Sequence, residues 1–262
     1  MDLGLSGRVA LIAGGSAGIG AATARLLGSQ GARVVLLARS ADKLEETVKT
    51  ITAAGGEAQS HVCDILDTAA VDRVVASIVK AYGRIDIAVL SIGAAQGGEF
   101  FGLADSVWSD ALELKLMGSI RLLRAVVPHM QQQRYGRVAV VVGNNGRQPV
   151  ARMLPGSAAN AALLAVVKGL ADEVAPFGVT INAINPGPTQ TGRWEKLMDG
   201  LAAGNGQTRD DVESEFMSRL PLGKPNQPED IAGLIAVLVS DVAKMMTGTS
   251  LTVDGGATKA IA

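Results

Sequence analysis

The stretch that decides the fold is "ALIAGGSAGIGAATARLL", Ala10 to Leu27. It reads as an apolar strand, a glycine turn and the start of a helix. Its glycines at 14, 18 and 20 follow the spacing G-x3-G-x-G rather than the commoner G-x-G-x-x-G. In both spacings the glycines let the turn tighten and let the backbone approach a pyrophosphate at the helix N-terminus. The predicted cofactor contacts in this turn are Gly14, Ser16, Gly18, Ile19 and Gly20.

The rest of the chain alternates short apolar runs with longer helical patterns. The runs are mostly continuous, as expected for strands covered on both faces. We therefore predict an α/β fold: a single Rossmann-like domain over 1–262, with a doubly wound parallel sheet of about seven strands and helices on both faces. The predicted strands are 8–13, 33–38, 61–63, 85–91, 137–142, 180–185 and 250–254. The predicted helices are 19–29, 41–54, 68–81, 106–133, 157–175 and 228–240.

The longest stretch without a predicted strand is 188–227. In this architecture such an insertion usually covers the ligand crevice, so we expect it to act as a lid over the substrate. Trp194, Met198 and Phe216 fall within it, which is compatible with an apolar pocket.

Composition narrows the class of protein. The 24 basic and 25 acidic residues nearly cancel, which gives no electrostatic argument for nucleic acid or an anionic membrane surface. Cys63 is the single cysteine, so neither a disulfide framework nor a metal site is predicted. The N-terminus lacks a signal-peptide pattern, and no window of about 18 uninterrupted apolar residues predicts a membrane span. We expect a soluble cytoplasmic protein that binds a small-molecule substrate.

The end of the second predicted strand bears on the nucleotide. A carboxylate about 20 residues after the glycines would hold the ribose hydroxyls of NAD, whereas an arginine would accept the 2′-phosphate of NADP. The segment "LLARSADK" has Ala38 near the acidic position, followed by Arg39 and Ser40. This favours NADP(H) over NAD(H), unless Arg39 is simply a solvated charge at a strand end.

Together these motifs resemble the classical short-chain dehydrogenase/reductase family over the whole length. The resemblance is carried by "AGGSAGIG" (with Ala13 where Thr is usual), "ARS", "CD" at 63–64, "GRVAVVV", "GVTINAINPGPTQT" and "MTGTSLTVDGGAT". It implies further cofactor contacts: Asp64 at the adenine, Gly93 in "LSIG" where the family usually reads N-N-A-G, and Pro186, Gly187, Thr189 and Thr191 leading to the nicotinamide carboxamide.

The same resemblance implies a departure in the chemistry. Gly156 and Asn160 stand where the family has its catalytic Tyr and Lys, and Gly143 stands where it has Ser. Lys115, in "LELKLMG", stands where it has Asn. Glycine at both the Ser and the Tyr places would leave a hollow beside the nicotinamide, open to a bulky substrate or to a proton-donating water.

Other side chains are poor substitutes for the missing acid. Tyr82 and Tyr135 each precede a glycine that leads into the N-terminal end of a strand, whereas ligands bind outside the carboxyl ends, so both are predicted to be structural. His61 lies in a predicted strand and His129 near the far end of a long helix. Cys63 is predicted to be a packing residue.

The candidate catalytic residues are Lys115, Asn144 and Asn160. If Lys115 is buried, its pKa would fall and it could donate a proton near neutral pH; the alternative is a lysine whose charge reaches solvent. Asn144 and Asn145 could hydrogen-bond a substrate carbonyl. Arg147 and Arg152 could bind an anionic substrate, or could be ordinary loop charges.

Three functions remain open from the sequence. The first is an NADP(H)-dependent oxidoreductase with a non-standard acid–base site, acting on a carbonyl, imine, enone or alcohol. The second is an NADP(H)-binding regulatory subunit without turnover, and the third a non-redox isomerase or lyase. The resemblance also implies a homo-oligomer, a tetramer or dimer, packed through helices 106–133 and 157–175.

Overall fold

A computed structural model describes residues 2–93, 95–206 and 208–259. Its strands form one parallel sheet in the order β3-β2-β1-β4-β5-β6-β7. Strand order therefore reverses between β1 and β4, which is where doubly wound folds open a ligand crevice. The strands are β1 Val9–Ala13, β2 Arg33–Ala38, β3 Glu57–Val62, β4 Ile87–Leu90, β5 Gly136–Val141, β6 Val179–Pro186 and β7 Ser250–Val253.

Helices cover both faces of this sheet, as predicted. In the described residues the α-helices are α1 Gly18–Ser29, α2 Ala41–Ala53, α3 Thr68–Tyr82, α4 Asp105–Ala111, α5 Gly118–Gln132, α6 Leu154–Val174, α7 Gly192–Asn205, α8 Arg209–Ser218 and α9 Pro228–Leu238. Short 3₁₀ turns lie at Phe100–Gly102, Asn144–Gly146, Ala175–Phe177 and Asp241–Ala243.

The strands are apolar throughout because each contributes to two cores. Along β1, Val9 and Leu11 face one core with α3, α5 and α6, whereas Ala10 and Ile12 face the other with α1, α2 and α9. Side chains in a strand alternate between faces, so a strand buried on both sides needs an uninterrupted apolar run.

Two elements differ most from their predicted bounds. Strand β3 begins at Glu57 rather than at 61, because it is an edge strand whose half-exposed polar residues give no apolar signal. The predicted helix 106–133 is divided by a π-helical segment, Leu112–Met117, between α4 and α5. Segments of this kind are frequent at functional sites, and this one contains Lys115.

The 188–227 segment folds into α7 and α8. Trp194 and Met198 are buried, and the Trp194 ring meets that of Phe216 edge to face at 5.0 Å between centroids. These side chains pack on one another as a small core with Val212.

The amino edge of the sheet is closed by a charged network. Tyr135 lies between the guanidiniums of Arg8 and Arg137, whose carbon atoms are 4.1 and 4.3 Å from its ring centroid. Its hydroxyl donates to Asp241 over 3.0 Å. Tyr82 ends α3 near the same edge. The two tyrosines therefore lie away from the carboxyl ends of the strands, as predicted.

The segment Leu154–Phe177 is long and apolar enough, by length and composition alone, to cross a membrane. Core helices of soluble proteins meet the same criterion, and one face of α6 is buried against β6 through Leu163, Val167 and Ala171.

Candidate active site

The glycine turn after β1 lies against the end of β4, across the point where strand order reverses. A Cβ on Gly14 would lie 2.1 Å from the backbone oxygen of Ser91, and a Cβ on Gly20 would lie 2.1 Å from the backbone oxygen of Gly14. Gly14 and Gly18 have φ angles of 79° and 52°. Only glycine satisfies both the close approach and the positive φ at Gly14.

This turn fits a pyrophosphate. No side chain in the described residues caps the N-terminus of α1 at Ala17, and its first turn holds no acid. The first amide groups of α1 thus remain available to an anion, which the helix dipole also favours. Ser16 is half-buried in the same turn, and Ile19 packs against the core beneath it.

The polar side chains that follow β2 are also available to a ligand. Arg39 is exposed, and the described part of the chain gives it no acidic partner. Ser40 is the N-cap of α2 yet accepts no capping hydrogen bond there. Asp64 follows β3 and accepts a hydrogen bond from the backbone of Leu66 at 3.0 Å. The structure places Arg39, Ser40 and Asp64 after the neighbouring strands β2 and β3.

The Pro-Gly turn lies at the carboxyl end of β6, where Pro186 is the last strand residue. A Cβ on Gly187 would lie 2.5 Å from the Cβ of Asp254, so glycine is required there. Thr189 donates to the Gly187 carbonyl over 3.0 Å. Thr191 occupies the N-cap position of α7 without a capping hydrogen bond from its side chain. Its methyl lies 3.1 Å from where a Cβ on Gly18 would be, so this turn adjoins the glycine turn.

Lys115 reaches the centre of this edge. Its Nζ donates to the carbonyls of Ile92, over 2.9 Å, and Val141, over 2.7 Å, at the ends of β4 and β5. Its stem passes Gly93, where a Cβ would lie 2.6 Å from Lys115 Cδ. Burial, and secondarily the charge of Arg193, lower the pKa of Lys115 to about 7. The ammonium is thus held within the site and does not reach out to solvent.

The space next to Gly143 is filled by two amides. Asn160 is buried, and its Nδ2 donates to Asn145 Oδ1. A Cβ on Gly143 would lie 2.9 Å from Asn160 Nδ2 and 3.2 Å from Asn145 Oδ1. The hollow predicted at Gly143 is therefore occupied, because Asn160 turns toward the strand end and draws Asn145 in with it.

Neighbouring side chains also take up part of the space next to Gly156. A Cβ there would lie 3.1 Å from the methyl of Ala95 and 3.9 Å from Asn145 Nδ2. The Asn145 amide therefore lies between Gly143 and Gly156, with its oxygen engaged by Asn160. Its Nδ2 has no hydrogen-bond acceptor among the described residues.

Asn144 turns in another direction. Its amide donates to Thr258 Oγ1 over 3.4 Å and contacts Asp254, whose pKa is lowered by hydrogen bonds from Thr258, Gly256 and Asn144 despite the opposing effect of burial. Asn144 thus faces the C-terminal segment, whereas its neighbour Asn145 faces the predicted catalytic positions.

Sequence reasoning overlooked Arg193, the second residue of α7. Its Nη2 donates to the Ala95 carbonyl over 3.3 Å, and its charge acts on Lys115. The arginines that the sequence offered as anion ligands are engaged elsewhere: Arg152 pairs with Glu99 over 2.6 Å, and Arg147 donates to the Ser250 carbonyl over 3.3 Å. The one signal in the sequence that could have identified Arg193 as a site residue is its position two residues after Thr191.

The remaining ionisable candidates fit structural roles. Burial, followed by the charges of Asp64 and Asp67, raises the pKa of Cys63, which makes its thiol a weaker nucleophile. Burial lowers the pKa of His61 in β3. His129 lies in the last turn of α5.

Comparison with known proteins assigns the architecture to a family. A family model described as "Enoyl-(Acyl carrier protein) reductase" matches residues 13–258. The chain belongs to the classical short-chain dehydrogenase/reductase family. Its relatives include a Streptomyces virginiae protein of the monensin polyketide synthase named as a ketoacyl reductase, which is 38% identical over 251 residues, 95% of this chain and 96% of that one.

Another relative of this short-chain dehydrogenase/reductase is the 3-oxoacyl-[acyl-carrier-protein] reductase FabG of Escherichia coli, 30% identical over 97% of this chain and 98% of that one. Among solved structures, a single-substitution variant of the actinorhodin polyketide ketoreductase with NADPH is 31% identical with a TM-score of 0.94, and the match covers 97% of this chain and 98% of that one. The NADPH-dependent reductase YwfH of bacilysin biosynthesis is 27% identical with a TM-score of 0.92, and the match covers 98% of this chain and 100% of that one.

Gly20→Ala tests the close approach in the glycine turn. We expect it to lower the free energy of unfolding by about 2 kcal/mol or more, because its methyl must displace the Gly14 carbonyl. The measurement is urea denaturation followed by circular dichroism.

Gly233→Ala is the matched control for this substitution. It lies in α9, which packs on α1, and its added methyl meets no atom within 4 Å. This alanine should raise stability by about 0.5–1 kcal/mol, the ordinary gain in a helix. Equal stabilities for the two variants would contradict the account of the turn.

Proposed function

We propose that the protein is an NADP(H)-dependent oxidoreductase that reduces a carbonyl, imine or enone, or oxidises the matching alcohol, with Lys115 as the proton donor. The observation that carries this proposal is the location of the Lys115 ammonium, held at the ends of β4 and β5 with a pKa of about 7. A general acid works best when its pKa lies near the operating pH.

Three features support NADP(H) as the cofactor. The uncapped glycine turn has room for the pyrophosphate, and Arg39 with Ser40 offers a guanidinium and a hydroxyl to a 2′-phosphate. The solved relatives above include NADPH-bound and NADPH-dependent reductases. Bound NADPH would supply the hydride.

The other residues of the mechanism follow from the family resemblance. We take Gly143 and Gly156 to stand at the Ser and Tyr positions, so neither a hydroxyl nor a phenol is available there. Asn145 lies between them with a free Nδ2 and can donate a hydrogen bond to the substrate oxygen. Asn160 fixes the orientation of that amide through its own hydrogen bond, and is a positioning residue.

Lys115 can complete the reduction. Two of its N–H groups are used by the carbonyls of Ile92 and Val141, which leaves one position on the nitrogen, a proton when charged and a lone pair when neutral. In the reduction of a ketone, Lys115 would give that proton to the substrate oxygen, and in the reduction of an imine to its nitrogen. We propose that α7 and α8 cover this site as a lid.

The cofactor assignment is tested by measuring NADPH and NADH binding through fluorescence titration. We expect NADPH to bind more tightly than NADH. Arg39→Ala should lower the affinity for NADPH by about tenfold to a hundredfold, because a charge-assisted hydrogen bond to the phosphate is lost. NADH binding should not change. A protein that binds neither nucleotide, or prefers NADH, would contradict the assignment.

The proton donor is tested by Lys115→Met, with Lys168→Met as control because that lysine is exposed and paired with Asp172. With a panel of ketones, imines and enones, we expect Lys115→Met to lower kcat by about 10²–10⁴-fold and the control to leave it unchanged. In the unaltered protein, the reduction rate should fall as pH rises through about 7, since Lys115 then loses its proton.

Two results would count against this role of Lys115. One is an unchanged kcat in Lys115→Met, and the other is a flat pH profile between pH 6 and 9. NADPH binding without turnover on any substrate would favour the regulatory subunit, and product formation without NADPH oxidation would favour an isomerase or lyase.

We also propose that α5 and α6 pack against a second copy of the chain. Between them lies a surface groove of about 480 Å³ with the half-exposed apolar side chains of Ile120, Val166 and Leu170. Gly169 is exposed in the same groove, and a Cβ there meets nothing within 4 Å. Such a face suits the close isologous packing of helices in a dimer or tetramer.

Gly169→Arg tests this packing because it adds a long charged side chain to the groove without disturbing the fold. We expect sedimentation velocity to show a dimer or tetramer for the unaltered protein and a smaller species for the variant. Gly200→Arg on α7, which is equally open, is the control and should leave assembly unchanged. A monomeric unaltered protein would contradict the proposal.

A further inference from the structure

Two cations near the carboxyl edge, Lys115 and Arg193, have no ion-pair partner among the described residues. No described carboxylate lies within 4.0 Å of Lys115 or Arg193. The acids nearest in sequence to Arg193 are already used, because Arg209 of α8 pairs with Glu195 and with Asp199. On the other side, Glu99 is held by Arg152. When Lys115 is protonated, its charge and that of Arg193 repel each other, and a bound anion would offset this repulsion.

Arg193 lies near the predicted reaction centre, to which Ala95 links it. Its guanidinium is anchored to the Ala95 carbonyl, and the Ala95 methyl lies against Gly156. Arg193 keeps exposed surface, so a ligand can reach it. Arg193 Nη2 donates to the Ala95 carbonyl, and the other N–H groups of the guanidinium have no hydrogen-bond acceptor among the described residues, so they can bind a planar anion.

We propose that Arg193 is a specificity-determining residue that binds a carboxylate of the substrate, next to the carbonyl that Lys115 serves. This rests on the proposed function and names its substrate class, a keto acid or related anionic ketone. A carboxylate is planar and matches the guanidinium fork, and it would remove the repulsion between Arg193 and Lys115. Relief of that repulsion favours the protonated lysine, so the proton donor is charged when its substrate is bound.

An anionic oxygen at Arg193 could instead belong to a phosphate of the cofactor, because Thr191 of the adjoining turn lies against Gly18. The two sources differ in a measurable way. If Arg193 binds a substrate carboxylate, its loss should weaken the binding of acids and leave NADPH affinity unchanged. If it binds a cofactor phosphate, its loss should weaken NADPH binding and affect acids and esters equally.

The experiment measures binding, so it does not depend on turnover. Calorimetric titration, with and without saturating NADP⁺, compares 2-, 3- and 4-oxohexanoate with their methyl esters. The proteins are the unaltered chain, Arg193→Gln, Arg193→Lys and the control Arg134→Gln, whose arginine is exposed at the amino edge of the sheet and donates to the Pro176 carbonyl over 3.1 Å. NADPH affinity is measured for each variant by fluorescence.

We expect at least one acid to bind more tightly than its ester, and Arg193→Gln to weaken that acid by about tenfold to a hundredfold. Ester and NADPH binding should stay unchanged. Arg193→Lys should recover part of the affinity, and Arg134→Gln should behave as the unaltered protein. Acid binding that depends on Arg193 without any NADPH oxidation would support this site while rejecting the oxidoreductase.

Three outcomes overturn the inference. The first is that no acid binds better than its ester, even where ketone reduction is observed, which leaves the proposed function intact. The second is an equal loss of acid and ester binding in Arg193→Gln. The third is a loss of NADPH affinity in that variant with the acid-to-ester ratio unchanged, which assigns Arg193 to the cofactor.

Discussion

The close contact between Gly14 and the Ser91 carbonyl is the constraint on which the site depends. It brings the end of β1 so close to the end of β4 that a Cβ on Gly14 would lie 2.1 Å from the Ser91 carbonyl oxygen. The contact fixes the glycine turn, and with it the uncapped N-terminus of α1, beside the loop that follows β4. Every proposed function is built around the crevice that this contact defines.

Lys115 lies in the crevice that this contact forms. The π-helical segment Leu112–Met117 carries Lys115 at the crevice, and Gly93 lets its stem pass to the carbonyls of Ile92 and Val141. A lysine buried in this way loses hydration, which favours its neutral form and brings its pKa toward neutrality. The family resemblance implies that Gly156 stands at the place of the catalytic tyrosine. The structure places the Lys115 amine, with a pKa of about 7, at the same edge of the sheet.

Much of the fold could be predicted from the sequence, and the reason is physical. Strands buried on both faces need continuous apolar runs, so β1, β2, β5 and β6 were predicted close to their bounds. Strand β3 was predicted too short because an edge strand tolerates Glu57 and Gln59. The π-helical segment could not be predicted, since the apolar pattern of 106–133 continues through it without a break.

The candidate site was predicted less completely, for a different reason. The glycines and Lys115 lie in motifs that a sequence displays, but charge balance depends on which side chains meet in space. Arg193 has no acidic partner among the described residues, and the two acids that follow it in α7, Glu195 and Asp199, pair with Arg209 of α8. Likewise, the hollow expected from Gly143 depends on where Asn160 turns, and its amide fills that space.

The central claim is that Lys115 is a proton donor adapted to neutral pH, and it can be tested without knowing the substrate. The measurement is a ¹³C NMR titration of the protein labelled at lysine Cε, with the Lys115 signal assigned by its loss in Lys115→Met. The account expects a midpoint near pH 7. A midpoint near about 10.4, the ordinary value for a solvated lysine, would contradict it.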